Sequence, residues 1–123
     1  MSSSSSFVRS AELEWDTVGD GVRRKILGYG PDLMLVHVEF HKGGIGALHH
    51  HPHRQVTFVA RGSFEATVDE VTTILETGDC FFVAANLVHG VVALEDGMLI
   101  DVFTPAREDF LAAARTPARQ GLA

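Results

Sequence analysis

The chain has a single cysteine, Cys80, in 123 residues. No internal disulfide can form, which excludes a small scaffold held together by disulfides. No apolar run approaches the ~18–20 residues that a membrane-spanning helix needs, although 46% of the residues are hydrophobic. Basic residues are the minority: 10 Lys and Arg against 16 Asp and Glu leave a formal charge of −6, which disfavours nucleic acid as a partner. No secretory hydrophobic segment opens the sequence. With the lone cysteine, this makes a cytoplasmic location the expectation. Neither an internal repeat nor an interdomain linker is visible, so the expectation is one domain around one core.

Short apolar runs split by turn residues fill most of the chain. Residues 22–30 (VRRKILGYG) and 33–40 (LMLVHVEF) flank Pro31-Asp32. QVTFVA and SFEATVD flank Arg61-Gly62, and VTTILE stops at Thr77-Gly78-Asp79. CFFVA, HGVVAL and MLIDVF follow, ending at Ala85-Asn86, Glu95-Asp96-Gly97 and Pro105. Many short strands at roughly 8–12-residue spacing mark an all-β sandwich or barrel. Residues 106–115 alone read as helix, with Pro105 before them, acids in the first turn and alanines after. Residues 1–10, opening with MSSSSS, are expected to be disordered, residues 11–115 to form the domain, and 116–123 to be a tail.

Four of the seven histidines lie between His49 and His53 in GALHHHPHRQVTFVARG, a stretch that otherwise reads as strand. Side chains alternate faces along a strand, so His49, His51 and Gln55 can share one face. Imidazoles leaning together from i and i+2 can close on one ion at ~2.0–2.1 Å per nitrogen. His50 has the opposite parity and is expected to point away, while Pro52 leaves the direction of His53 open. His89 is a candidate fourth ligand. The plain alternative is a solvated histidine-rich turn that binds metal without purpose.

The spacings decide between these readings. Gly43, His49, His51, Gln55 and Gly62 fall at the positions of the first cupin motif, with Gln55 where a glutamate is usual. Gly78 and His89 match the second motif, Ala84 standing for its proline and Asn86 for its glycine. The chain thus resembles the cupin superfamily, which implies a small antiparallel double-stranded β-helix, or jelly-roll barrel, with a short C-terminal helix. Within the superfamily, EWDTVGDGVRRKILGYG, HHHPHRQ, GDCFFVAANLVHG and LIDVFTPAREDFL are similar to the small cupins of pectin breakdown. That resemblance covers about residues 14–111. It implies linearisation of 4,5-unsaturated monouronates, released from pectin or alginate, to an open-chain keto acid. It also implies a divalent metal on His49, His51, Gln55 and His89, and functional residues at Asp101, Phe103 and Arg107.

The residues can be weighed beside that resemblance. Four protein ligands leave room for substrate only if coordination expands beyond four, which suits nickel, iron, manganese or cobalt better than structural zinc. Three imidazoles and an amide leave the ion's full +2 uncancelled, which attracts an anionic sugar and supports Fe(III) or peroxo states poorly. Isomerisation is thereby favoured over the rival activity, an iron dioxygenase. A non-catalytic sugar- or metal-binding cupin is the other rival, and fold-level likeness does not exclude it.

Asp101 shares a strand face with Leu99 and Phe103, where an unpaired carboxylate is costly. It reads either as a proton carrier or as a structural Asp bonded to an Arg or an amide. Arg107 reads as a bidentate carboxylate binder or as a surface partner of Glu108 or Asp109. Phe103 reads as a wall against a sugar ring or as plain core. Arg23, Arg24 and Lys25 are expected on a solvated face or at a dimer contact, with anion binding the lesser reading. His37 is expected to be structural or exposed, and Cys80 to be a small core residue. Apolar strands in so small a barrel imply a homodimer.

Overall fold

A computed structural model describes residues 2–114. Its elements are β1 (Asp16–Gly19), β2 (Val22–Gly30), β3 (Leu33–Phe40), β4 (Ile45–His49), β5 (Arg54–Arg61), β6 (Ser63–Val68), β7 (Val71–Glu76), β8 (Cys80–Val83), β9 (His89–Ala93), β10 (Gly97–Thr104) and α1 (Glu108–Ala113), with a 3-10 turn at Ser10–Glu12. Two antiparallel sheets result, one of six strands ordered β1-β2-β3-β10-β5-β8 and one of four ordered β4-β9-β6-β7. The all-β sandwich expected from the turn spacing is the observed architecture. Arg115, at the end of the expected helix, and the tail 116–123 lie outside the described residues.

Alternation along the strands puts the apolar side chains between the sheets. In β3, Met34, Val36, Val38 and Phe40 are buried, while Leu35, His37 and Glu39 on the other face are partly exposed. Phe40 of one sheet meets Phe64 of the other edge-on, ring centroids 5.2 Å apart. This contact ties the two sheets together, and truncating an aromatic buried this deeply typically costs about 3–5 kcal/mol. Gly62, between β5 and β6, has φ +89, and a Cβ there would lie 2.7 Å from the Asp96 carbonyl oxygen. Both conditions require glycine at that corner.

Three expectations need correction. The serine-rich opening, expected to be disordered, is tied down at Ser4: its N–H donates to the Tyr29 carbonyl at 2.9 Å, and its hydroxyl accepts the Tyr29 N–H at 3.0 Å. Cys80, expected in the core, is exposed. It pairs with Phe58 on the outer face, while Phe81 and Val83 pair with Thr57 and Gln55 on the inner one. The basic run, expected on a solvated face or at a dimer contact, divides between faces. Arg23 is exposed and pairs with Glu39. Lys25 is buried, donating to the Ser10 carbonyl under the Trp15 ring, and Arg24 points into the interior cavity.

Candidate metal centre

The histidine stretch is not one strand. β4 ends at His49 in the four-stranded sheet, the chain crosses through His50–His53, and β5 begins at Arg54 in the six-stranded sheet. His49, His51 and Gln55 therefore converge from opposite walls of the sandwich, not from one strand face as alternation alone predicts. His89 is the direct cross-strand partner of His49 on β9. The turn before His89 keeps its shape despite lacking the usual glycine. Asn86 takes φ +66, a left-handed conformation that asparagine tolerates, and its N–H donates to the His51 carbonyl at 2.8 Å. The two motifs are thus joined by a backbone hydrogen bond.

The ring nitrogens of His49, His51 and His89 all come within 4.8 Å of one another, a cluster able to hold a metal ion. His50 is exposed and not part of it, and His53 stands edge-on behind His51 at 5.5 Å. Each ring of the cluster is oriented through its Nδ1 by a backbone carbonyl: Ala47 for His49 at 2.7 Å, His53 for His51 at 3.0 Å and Leu87 for His89 at 2.9 Å. A carbonyl only accepts, so each Nδ1 carries the hydrogen, and the lone pair of a neutral ring is then on Nε2. Burial lowers the pKa of His51, and takes that of His89 to about 4. Both rings are neutral near pH 7.

Gln55 completes the set. Its Nε2 donates to Thr57 Oγ1 at 2.7 Å, which turns its Oε1 toward the histidines, 3.1 Å from His51 Nε2 and 3.2 Å from His89 Nε2. Those contacts bring acceptor against acceptor. A cation lying among these atoms removes that conflict, so the donor set fits a metal on chemical grounds.

The remaining site residues line one cavity of about 550 Å³ with His49, Gln55 and His89. Asp101 lies deep in it, accepting a hydrogen bond from Thr57 Oγ1 at 2.6 Å and a longer one from Gln55 Nε2 at 3.4 Å. Burial raises its pKa to about 6, against the opposing pull of Thr57 and Arg107. Phe103 is buried edge-on to His51 at 5.8 Å. Arg107, also buried, donates from Nε and Nη2 to the two oxygens of Asp109 at 3.1 and 2.9 Å. Arg107 pairs with Asp109, but it is buried and lines the cavity where the surface reading had it facing solvent. Two further residues line it: Phe110, which was not singled out by the sequence, and Arg24, for which anion binding was the lesser reading. A signal was present for Arg24, which shares strand parity with Val22 and Ile26, both buried.

With the fold and cluster in place, the comparisons assign the class. The cupin domain family model matches residues 36–103, and the chain belongs to that family. It is 49% identical over 102 residues to the pectin degradation protein KdgF of Dickeya dadantii (strain 3937), covering 81% of this chain and 93% of that one. Among solved structures it is similar to KdgF from Halomonas sp., with TM-score 0.82 and 40% identity, covering 85% of this chain and 97% of that one. An RmlC-like cupin from Shewanella frigidimarina NCIMB 400 matches with TM-score 0.86 and 43% identity over 89% of this chain and 99% of that one. Among the described residues, no helix is long and apolar enough to cross a membrane.

Proposed function

We propose that this cupin linearises 4,5-unsaturated monouronates, from pectin or alginate breakdown, to the open-chain 5-keto-4-deoxyuronate. The observation that carries this reading is a cluster of three histidines and one amide, with His49, Gln55 and His89 lining the same cavity as a carboxylic acid and an arginine. The substrate is a cyclic hemiacetal with a C4–C5 double bond and a carboxylate on C5. Breaking the bond from C1 to the ring oxygen makes an aldehyde at C1, whose hydroxyl loses a proton, and leaves the ring oxygen as an enolate on C5. Protonation of C4 gives the ketone. Atoms and electrons balance without an oxidant.

His49, His51, Gln55 and His89 would hold one divalent transition metal per chain, which supplies Lewis-acid stabilisation of the negative charge on the departing ring oxygen. Nickel, iron, manganese, cobalt and zinc all suit that role. Asp101 carries the proton, since an acid with a pKa near the working pH gives and takes with comparable ease. Thr57 holds Asp101 in place through the 2.6 Å hydrogen bond. Arg107 binds the substrate carboxylate, and Phe103 forms the apolar wall against the sugar ring.

The outer face of the six-stranded sheet supports a homodimer. Val56, Phe58 and Phe82 are exposed there as neighbours across β5 and β8, and an apolar face of this kind can match its own copy about a two-fold axis. Light scattering should give twice the chain mass, and Phe58→Asp should halve it.

The test of the activity is to add purified protein to freshly released unsaturated monouronate and follow the double-bond absorbance alongside an oxygen electrode. Rapid loss of absorbance at constant oxygen supports the reading. Oxygen uptake matching substrate loss identifies a dioxygenase instead. Unchanged absorbance leaves a binding protein.

A further inference from the structure

Arg24 lies in the wall of the cavity beside Arg107, and the two differ in what engages them. Arg107 has two donors committed to Asp109. Arg24 Nε is buried with no hydrogen-bond partner among the described residues. Both guanidiniums rest on the ring of Phe110, their central carbons 3.6 Å and 4.1 Å from its centroid. They are therefore separated by no more than the sum of those distances, and both line the same cavity. Burial first, and Arg107 second, lower the pKa of Arg24, against the opposing pull of Asp109, Asp16 and Asp101.

A guanidinium has five N–H donors, and the fork facing Asp109 uses the Nε and Nη2 side. Arg107 thus has only its remaining edge for a substrate carboxylate, which has two oxygens to satisfy. We propose that Arg24 is a second substrate-binding arginine, forming with Arg107 a two-armed clamp on the carboxylate of an acidic sugar. The assignment deepens the reading given above and rests on it. Val22 and Ile26, buried on either side of Arg24 on the same face of β2, fix the stem so that the guanidinium reaches the cavity from β2, while Arg107 reaches it from the start of α1. The carboxylate end of the sugar is thereby set at the β2–α1 side of the cavity, with its ring toward Asp101 and the histidines.

The experiment compares the metal-loaded wild-type protein with Arg24→Met, which keeps the apolar stem on Phe110, Arg24→Lys, which keeps the charge, and Arg23→Met as a control on the opposite face. Metal content and thermal melting are recorded for each. With unsaturated monouronate, Arg24→Met should raise KM by about tenfold or more with kcat little changed, Arg24→Lys should fall between, and Arg23→Met should match wild type. Unchanged KM in a folded, metal-loaded Arg24→Met, while wild type turns over normally, overturns the clamp and leaves the activity standing. Should wild type fail to turn over, the activity falls, and calorimetric binding of glucuronate against glucose decides the clamp. A preference for the acid that disappears in Arg24→Met upholds it. No preference in wild type, or one that survives the substitution, overturns it. If Arg24→Met does not fold, the same comparisons are read on Arg24→Lys, where wild-type values again overturn the proposal.

Discussion

The two ends of the cavity are opposites in hydrogen bonding. At the histidine end, His51 Nε2, His89 Nε2 and Gln55 Oε1 are acceptors turned toward one another. At the arginine end, Arg24 and Arg107 are donors, one of them with a buried N–H that meets no acceptor among the described residues. The first arrangement calls for a cation and the second for an anion. Asp101 lies between, with access to both. The sequence advertises the first end loudly, because four histidines in five positions are conspicuous. It shows the second less plainly, because arginines are common on surfaces and only their placement makes them a site.

The largest effect should come from dismantling the cation end. His49→Ala/His89→Ala should abolish both bound metal and turnover, and elemental analysis finding full metal in this double variant would refute the ligand assignment. Next, Asp101→Asn should retain the metal and lower kcat by about 10²–10⁴, the usual contribution of a general acid–base group. Wild-type turnover in that variant would move the proton to a different carrier. At the anion end, Arg107→Lys should chiefly raise KM in steady-state kinetics, since a point charge replaces a planar fork. A pure kcat defect would show that Arg107 acts in chemistry instead of binding.

A smaller change should follow Gln55→Glu. The metal should stay, while turnover drops because one of the ion's two charges is cancelled; equal turnover at equal metal occupancy would show that ligand charge is not what this position controls. Smallest is a stability effect in metal-stripped protein. The pKa of Asp101 rises from 3.8 to about 6 on folding, so across that window the folded state binds the extra proton. Stability therefore falls as pH rises from 3.8 to about 6, and stays lower above it. Asp101→Asn removes that loss, so its melting temperature should exceed that of wild type at pH 8 by an amount worth up to about 3 kcal/mol. The gap should close at pH 4. A gap independent of pH would mean that burial does not hold Asp101 protonated.

How legible the molecule was in its sequence follows from which constraint set each feature. β2, β3 and β7 begin and end where their turn residues stop the apolar runs, because turn chemistry is local. The crossing between β4 and β5 was not legible: a chain that changes sheets at His50–His53 has the same alternation as one that does not. Cys80 was misplaced because CFFV is apolar at every position, so only pairing with β5 decides which face is inside. For Asp101 the alternation with Leu99 and Phe103 was sufficient, since both neighbours are buried. Arg24 carried the same kind of signal through Val22 and Ile26, but a run of adjacent cations drew attention to its charge and away from its parity.

One measurement bears on the whole account: proton NMR of freshly prepared 4,5-unsaturated monouronate, following its C4 vinyl signal. Metal-loaded protein should remove that signal at a rate proportional to its concentration and yield the open-chain keto acid, whereas the His49→Ala/His89→Ala protein should leave it decaying as in buffer. Identical decay in all three samples would contradict the account.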